Sequence, residues 1–584
     1  MHSLILQLSS IFTAISPQPE RIESLVYLII DLMEASRYLS GETPAPDKVF
    51  LEACNIYFRH CHNKPFGFFN ATFFYQKVQQ NRVPLHLKLA LIASATRYSS
   101  RSQWMERKRS TIDSYARCSW ELITTSSNPL DKDDDVDVIQ SLVILAAIDL
   151  TAGRRRQAWV KIGMSVRIAQ DLDMMMEPPS SLPELERDER RNLFWSLYIL
   201  DRFVCCSFQR PPAIHDVDLH LNLPTHYRSE KRLPSLSLSE LFNEKVRSLS
   251  PRSGMFGISI GFVSCLGRTT KYMMSKLRCQ SISPWTSGSE HALIHRELDY
   301  LKQLAVQNGP IPGAPSQSPP QNNSPKPDRE QISHMVLSHT LYHLCLCILN
   351  HPFLIGLKIE SRSHSDMPLM WLEDTRKRAL SHAGSLITVL LEAKAAGYMP
   401  ITSMYSYSMV LASTIHGIFM HCDDPSIRQS SAENLKPAFE YLSEMFDLWD
   451  NAHIMASALE NFITHCPRYS EILLRNEPCT SELTTTETTI LKYVVDYWAM
   501  MDSRNPVFQE ALSTESADPQ VTSPDCLTPP TSIPMDDSPD GHYTAIDVDP
   551  DILVAYPLPV ISPIPSDHGS PKWDWDQELD LSPS

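Results

Sequence analysis

Apolar residues recur at intervals of three and four in one segment after another of this chain, and that period limits what it can become. Ile22, Leu25, Leu28, Ile29, Leu32 and Met33 set the pattern. Ile139, Leu142, Val143 and Ala146 repeat it over about 136–150, Trp159, Ile162, Val166 and Ala169 over about 155–172, and Leu193, Leu197, Leu200 and Val204 over about 186–205. The same spacing returns at about 332–349, 370–396, 405–421 and 435–458. Strand-like alternation is scarce, so the sequence predicts an all-α fold of many helices. Composition agrees, because 17 Gly against 44 Pro suits helices ended by proline better than glycine-rich sheet turns or phosphate loops. With 584 residues, 42% of them hydrophobic, a large core is available.

Two stretches lack the period. Residues 308–329 read NGPIPGAPSQSPPQNNSPKPDR, which has little to bury and reads as a flexible linker. Residues 512–584 are rich in Pro, Ser and Asp, with Lys572 as the only Lys or Arg, and read as disordered. The expected organisation is a helical segment over 1–48, a helical domain over 49–307, a linker over 308–330, a second helical part over 331–511, and an acidic tail over 512–584. Asp133, Asp134 and Asp135 precede one helix, where carboxylates at the positive end of the dipole contribute roughly 0.3–1 kcal/mol. Gly163 is expected to let a neighbouring backbone come close.

The formal net charge of -16 opposes a direct grip on nucleic acid, which needs clustered Lys and Arg. The 13 Cys are scattered, several in apolar helical contexts such as Leu344, Cys345, Leu346, Cys347, which fits a reducing compartment. Leu4 to Ile15 is partly apolar but has no basic residues before it, so a signal peptide is not expected. No run reads as a bilayer span. Phosphate-loop, dinucleotide and His-Glu-x-x-His patterns are missing, so no enzyme is expected and no catalytic or cofactor-binding residue is assigned. Gly257-Ile258-Ser259-Ile260-Gly261 has the spacing of a hydrolase nucleophile elbow, yet without a strand before it the match reads as chance. Cys54, His60, Cys61 and His62 lack tetrahedral spacing and read as core or surface residues, so no metal ligand is assigned. Arg107-Lys108-Arg109 and Arg154-Arg155-Arg156 read either as solvated helix faces or as import signals.

An ordered set of residues runs through 153–224: Ala158, Trp159, Gly163, Arg167 and Ala169, then Glu184, Glu186, Arg190, Arg191, Phe194, Trp195, Leu200, Asp201 and Arg202, then Arg210, Pro211, Ile214, Asp216, Asp218, Leu223 and Pro224. It resembles the middle homology region of fungal zinc binuclear-cluster transcription factors of the xylanolytic-activator type. YFRHCHNKPFGFF at 57–69 is similar to that family's first helix and turn, and LYHLCLCILNHPFL at 341–354, with Tyr342, His343, Pro352 and Phe353, to its late helix and turn. The likeness covers about 50–465. Gln209 stands where Gly is usual, and Asp173-Met174 where Gly-Leu-His is common. Asp201 and Arg202, as helix neighbours, are not expected to pair with each other but to reach packed neighbours. Pro211 and Pro212 are expected to end their helix.

The resemblance implies a transcription regulator acting in the nucleus. The family's six-cysteine zinc cluster is absent here, since no Cys-x2-Cys occurs; zinc and direct DNA contact would require a module missing either from the gene model or from the protein. A helical ligand-binding or interaction scaffold that acts without DNA is the alternative. The tail supplies a working end: in KWDWDQELDL at 572–581, Trp573, Trp575, Leu579 and Leu581 alternate with Asp574, Asp576, Glu578 and Asp580. Mutual repulsion keeps such apolar groups available to a partner's groove, as expected for recruiting a co-activator. Ser523, Thr528, Ser538, Ser562 and Ser570 each precede Pro and are hypothetical phosphorylation sites, which phosphopeptide mapping tests.

Overall fold

The computed structural model describes residues 48–502, except 100–107, 126–134, 209, 225–235, 244–253, 276–281, 308–328, 361–366, 399–401 and 447–448. The expectations for the N-terminal segment and the acidic tail, including Trp573, Asp574, Trp575, Asp576, Leu579 and Leu581, lie outside the described residues. So do those for Gln209, Asp133, Asp134 and nearly all of the linker. Its last two residues, Arg329 and Glu330, are instead the first of a helix.

Among the described residues there are α-helices, short 3-10 turns and two isolated bridges, but no strand. The chain runs through α1 (Lys48–His60), α2 (Ala71–Gln79), α3 (Leu85–Thr96), α4 (Lys108–Thr125), α5 (Asp135–Thr151), α6 (Arg155–Asp171) and α7 (Glu184–Val204). It continues through α8 (Leu238–Leu241), α9 (Met255–Met274), α10 (Glu290–Gln307), α11 (Arg329–Asn350), α12 (Pro352–Glu360) and α13 (Leu369–Ala395). It closes with α14 (Ser403–Phe419), α15 (Pro425–Glu444), α16 (Asp450–Thr464), α17 (Cys466–Leu473), α18 (Thr485–Val495) and α19 (Tyr497–Met500).

Burial explains the arrangement. All 17 residues of α14 are buried, as expected of a helix apolar on every side that must sit inside a large bundle. It packs on α13, α15 and α16, while α11 lies against α9 and α13, and α7 joins the first helices to α9. The helices before and after the linker therefore share one core. Helix starts follow side-chain chemistry: Asn70 Oδ1 accepts from Phe73 N, Asp424 from Ser426 and Ile427 N, and Ser237 and Thr484 form capping boxes with Glu240 and Glu487. Each such cap contributes about 1 kcal/mol.

Four expectations change. The single helix over 435–458 is two, α15 and α16, because Trp449 takes an extended conformation and turns its indole into the core. Helix α7 ends at Val204, well before Pro211 and Pro212. Among the described residues one helix, Glu330–Asn350, is long and apolar enough to cross a bilayer, but 83% of its most apolar 18-residue window is buried by its neighbours. At Gly163 an added Cβ would meet nothing within 4 Å, so that glycine admits no close backbone.

Candidate functional site

The signature residues meet where α7 crosses α9 and the turn after α7 folds back. Arg202 and Asp201 are buried, with side chains 5% and 4% exposed. Arg202 Nη1 donates to Asp201 Oδ2 at 2.8 Å and Nη2 to Asp216 Oδ1 at 2.5 Å. The two helix neighbours thus do pair, because the long guanidinium arm curls back over its own turn. Asp216 also accepts from the Tyr198 hydroxyl at 2.8 Å and from Ser264 Oγ on α9 at 2.7 Å. Asp201 accepts from the backbone N–H groups of Ala213 and Ile214 at 3.0 and 3.2 Å. Burial raises the Asp201 pKa above its ordinary value against the opposing pull of Arg202 and those N–H groups. The carboxylates therefore tie the 213–216 turn to the end of α7 while one guanidinium spans both.

Gly267 on α9 makes this possible. A Cβ there would lie 2.8 Å from Arg202 Cδ, so the close approach expected at Gly163 occurs on the facing helix. Phe194 and Trp195 are buried, and Trp195 Nε1 donates to Asn222 O at 2.8 Å, fastening the far end of the turn. Arg190 pairs with Glu186 one helical turn back, and Arg191 bridges Asp188 and Glu177. Arg210 stands over the rings of Trp159 and Trp498, 4.2 and 4.6 Å from their centroids. Trp159 is 45% exposed, so its part of the expected apolar stripe is a surface stack. The Pro211 carbonyl accepts from Cys205 Sγ.

The later signature lies elsewhere. Tyr342 donates to Asp299 at 3.1 Å, and the Nδ1 atoms of His343 and His382 are 3.1 Å apart. Burial, with His382 and His339 nearby, holds His343 well below the ordinary histidine value. Pro352 opens α12 and Phe353 is fully buried. Ser259 lies inside α9, bonded to the carbonyls of Met255 and His334 and to Ser338, so the elbow spacing has no elbow geometry. Burial pushes the thiols of Cys54 and Cys61 up to about 12 and about 11, away from the thiolate form a metal needs. Within the basic triplet, Arg154 pairs with Asp149 and Asp113, and Arg155 with Asp502 and the Trp498 carbonyl.

Sequence reasoning missed two buried ion clusters. Lys77 on α2 bridges Asp137 on α5 and Glu189 on α7, at 2.9 and 3.3 Å. Lys161 and Arg154 share Asp149. It also missed a cavity of about 90 Å³ that reaches from the α1–α2 turn and α3 to α14 and the residues around Trp449.

Fold and signature define an all-helical domain organised around a buried arginine–carboxylate knot. Residues 54–303 match the family model of the fungal specific transcription factor domain. The chain is 23% identical over 278 residues to an uncharacterized transcriptional regulatory protein of Schizosaccharomyces pombe, covering 43% of this chain and 28% of that one. It is 20% identical over 345 residues to a Zn(2)-C6 fungal-type transcription factor of Fusarium oxysporum f. sp. lycopersici, covering 55% and 36%. To the ascochitine biosynthesis cluster transcriptional regulator of Didymella fabae it is 28% identical over 148 residues, covering 24% and 25%. The chain spans only 28% and 36% of the length of the first two of these curated relatives.

Proposed function

We propose that this chain is the regulatory and activating portion of a fungal zinc-cluster-type transcription factor, acting in the nucleus. The observation that carries the reading is the match of residues 54–303 to the fungal specific transcription factor domain. The names of the relatives, each a transcriptional regulator, support it. In this reading the bundle transmits regulation and catalyses nothing. DNA is reached indirectly or through a zinc cluster outside this sequence, and the tail over 512–584 recruits a co-activator. The helices on either side of 308–328 belong to one regulatory body. For nuclear entry, Arg154 and Arg155 are poor candidates because both are held in ion pairs.

The test is a reporter assay with the chain fused to a foreign DNA-binding head. Output is expected to be strong and to collapse when Trp573, Trp575, Leu579 and Leu581 are all changed to Ala. Unchanged output refutes the tail's role, and a fusion silent under every growth condition refutes activation itself.

A further inference from the structure

The cavity has a chemical bias that the regulatory reading does not require. Its lining is largely aromatic and aliphatic, and it contains two cationic side chains, Arg97 and Lys64, but no Asp or Glu. In a chain of net charge -16 an apolar pocket with only positive charge calls for a cause.

Arg97 follows directly on α3. Its Nη2 donates to Thr151 Oγ1 at 2.8 Å and its guanidinium lies 4.3 Å from the Trp449 ring centroid. Among the described residues no carboxylate pairs with it, and the carboxylate it senses, Asp450, is bound to Arg109 at 2.6 Å. Burial lowers the Arg97 pKa below its ordinary value. Even a half-buried guanidinium without an anion is costly, and stacking on an indole offsets only part of that. In the same lining the Thr402 hydroxyl is buried without a hydrogen-bond partner. The lining therefore combines unspent donors with hydrocarbon surface, notably Phe66, Ala147 and Leu200.

Size narrows the ligand. One water needs roughly 10–15 Å³ of such space, so about 90 Å³ admits a small organic molecule rather than a drug-sized one. We propose that this cavity binds a small monocarboxylic acid, its carboxylate on the Arg97 guanidinium and its hydrocarbon against Phe66, Ala147 and Leu200. A carboxylate matches the planar fork of arginine donors, which an alcohol or amine of equal length does not.

The experiment is calorimetric titration of the purified full-length chain with hexanoate and with benzoate, against 1-hexanol and hexylamine. Saturable binding of at least one acid is expected, at least tenfold tighter than its neutral or cationic counterpart. Arg97→Met is expected to weaken acid binding at least tenfold and leave hexanol unchanged. Ala147→Leu, which fills the pocket and keeps the guanidinium, is expected to weaken both. No saturable heat with either acid, equal binding of hexanol, or full acid binding by a folded Arg97→Met protein each overturns the proposal. Should neither variant fold, the ligand comparison on the unaltered chain decides by itself.

Discussion

Arg202 holds Asp201 and Asp216 together from a position 5% exposed. Arg202→Met leaves Asp216 with only hydroxyl donors from Tyr198 and Ser264, and removing one partner of a buried pair costs about 3–5 kcal/mol. A matching fall in urea midpoint at constant slope is expected, and Arg202→Lys should not restore it, since a shorter arm with one ammonium replaces the two guanidinium nitrogens that reach Asp201 and Asp216 separately. Histidines give a second prediction. Burial holds His351 and His295 at about 3 and His291 and His382 at about 4. The unfolded chain takes up these protons near pH 6.5 while the folded one refuses them, so stability is full above about 6.5 and falls as pH drops toward 4. Glu189 and Asp201 act with the opposite sign, because burial raises their pKa values and protonation favours the folded form. His351 is suited to the test: its Nδ1 accepts from Phe353 N, leaving Nε2–H for Thr414 Oγ1. His351→Gln should reduce the slope of unfolding free energy against pH between 6 and 5 by about 1.4 kcal/mol per pH unit, read from urea curves at several pH values. An unchanged slope counts against a buried neutral ring.

Between helices, the contrast of two glycines separates close packing from mere helix interior. Gly267→Ala pushes a methyl against Arg202 Cδ, whose guanidinium is anchored at Asp201 and Asp216 and has no room to yield. A loss of about 1–3 kcal/mol is expected. Gly163→Ala enters open space in the middle of α6 and should gain about 0.5–1 kcal/mol through helix propensity. Thermal unfolding of both variants checks the pair, and Gly163→Ala less stable than the parent would mean that the open space is occupied. This pair also marks how far the sequence was legible. Helices announced themselves through local period, so α5, α6, α7, α13 and α14 could be read within a residue or two, and α11 within three. The contacts that build the site had no local signal: Lys77 meets Glu189 across 112 residues and Arg202 meets Asp216 across a turn. Only the ordered list of signature residues hinted that Asp201 and Arg202 mattered, and it could not say that their arms curl together. Nothing in the spacing distinguished Gly163, which admits no neighbour, from Gly267, which does.

At the scale of the molecule, the boundary suggested by the Pro-rich stretch near 308–328 is one of chain path rather than of core. Helix α9 lies inside the family-matched span yet packs against α11, beyond it. The cavity wall likewise joins Phe66 and Leu200 to Met404, Trp449 and Tyr497. Cutting the chain at residue 307 would therefore strip α9 of a helix and open the wall at Arg97 and Trp449, exposing apolar surface that water penalises at roughly 25 cal/mol per Å². A fragment over 48–307 is expected to keep helical far-UV circular dichroism but to lose near-UV signal, bind a hydrophobic dye and melt without a cooperative transition, whereas 48–502 should melt cooperatively. The last helices contribute through Asp496, which accepts from Ser207 Oγ at 3.0 Å and from Phe208 N at 3.1 Å immediately after α7. Adding 331–502 in trans should therefore restore the near-UV signal if the linker only connects. A cooperative melt by 48–307 alone would show instead that the matched domain is self-sufficient and that the later helices are an addition to it.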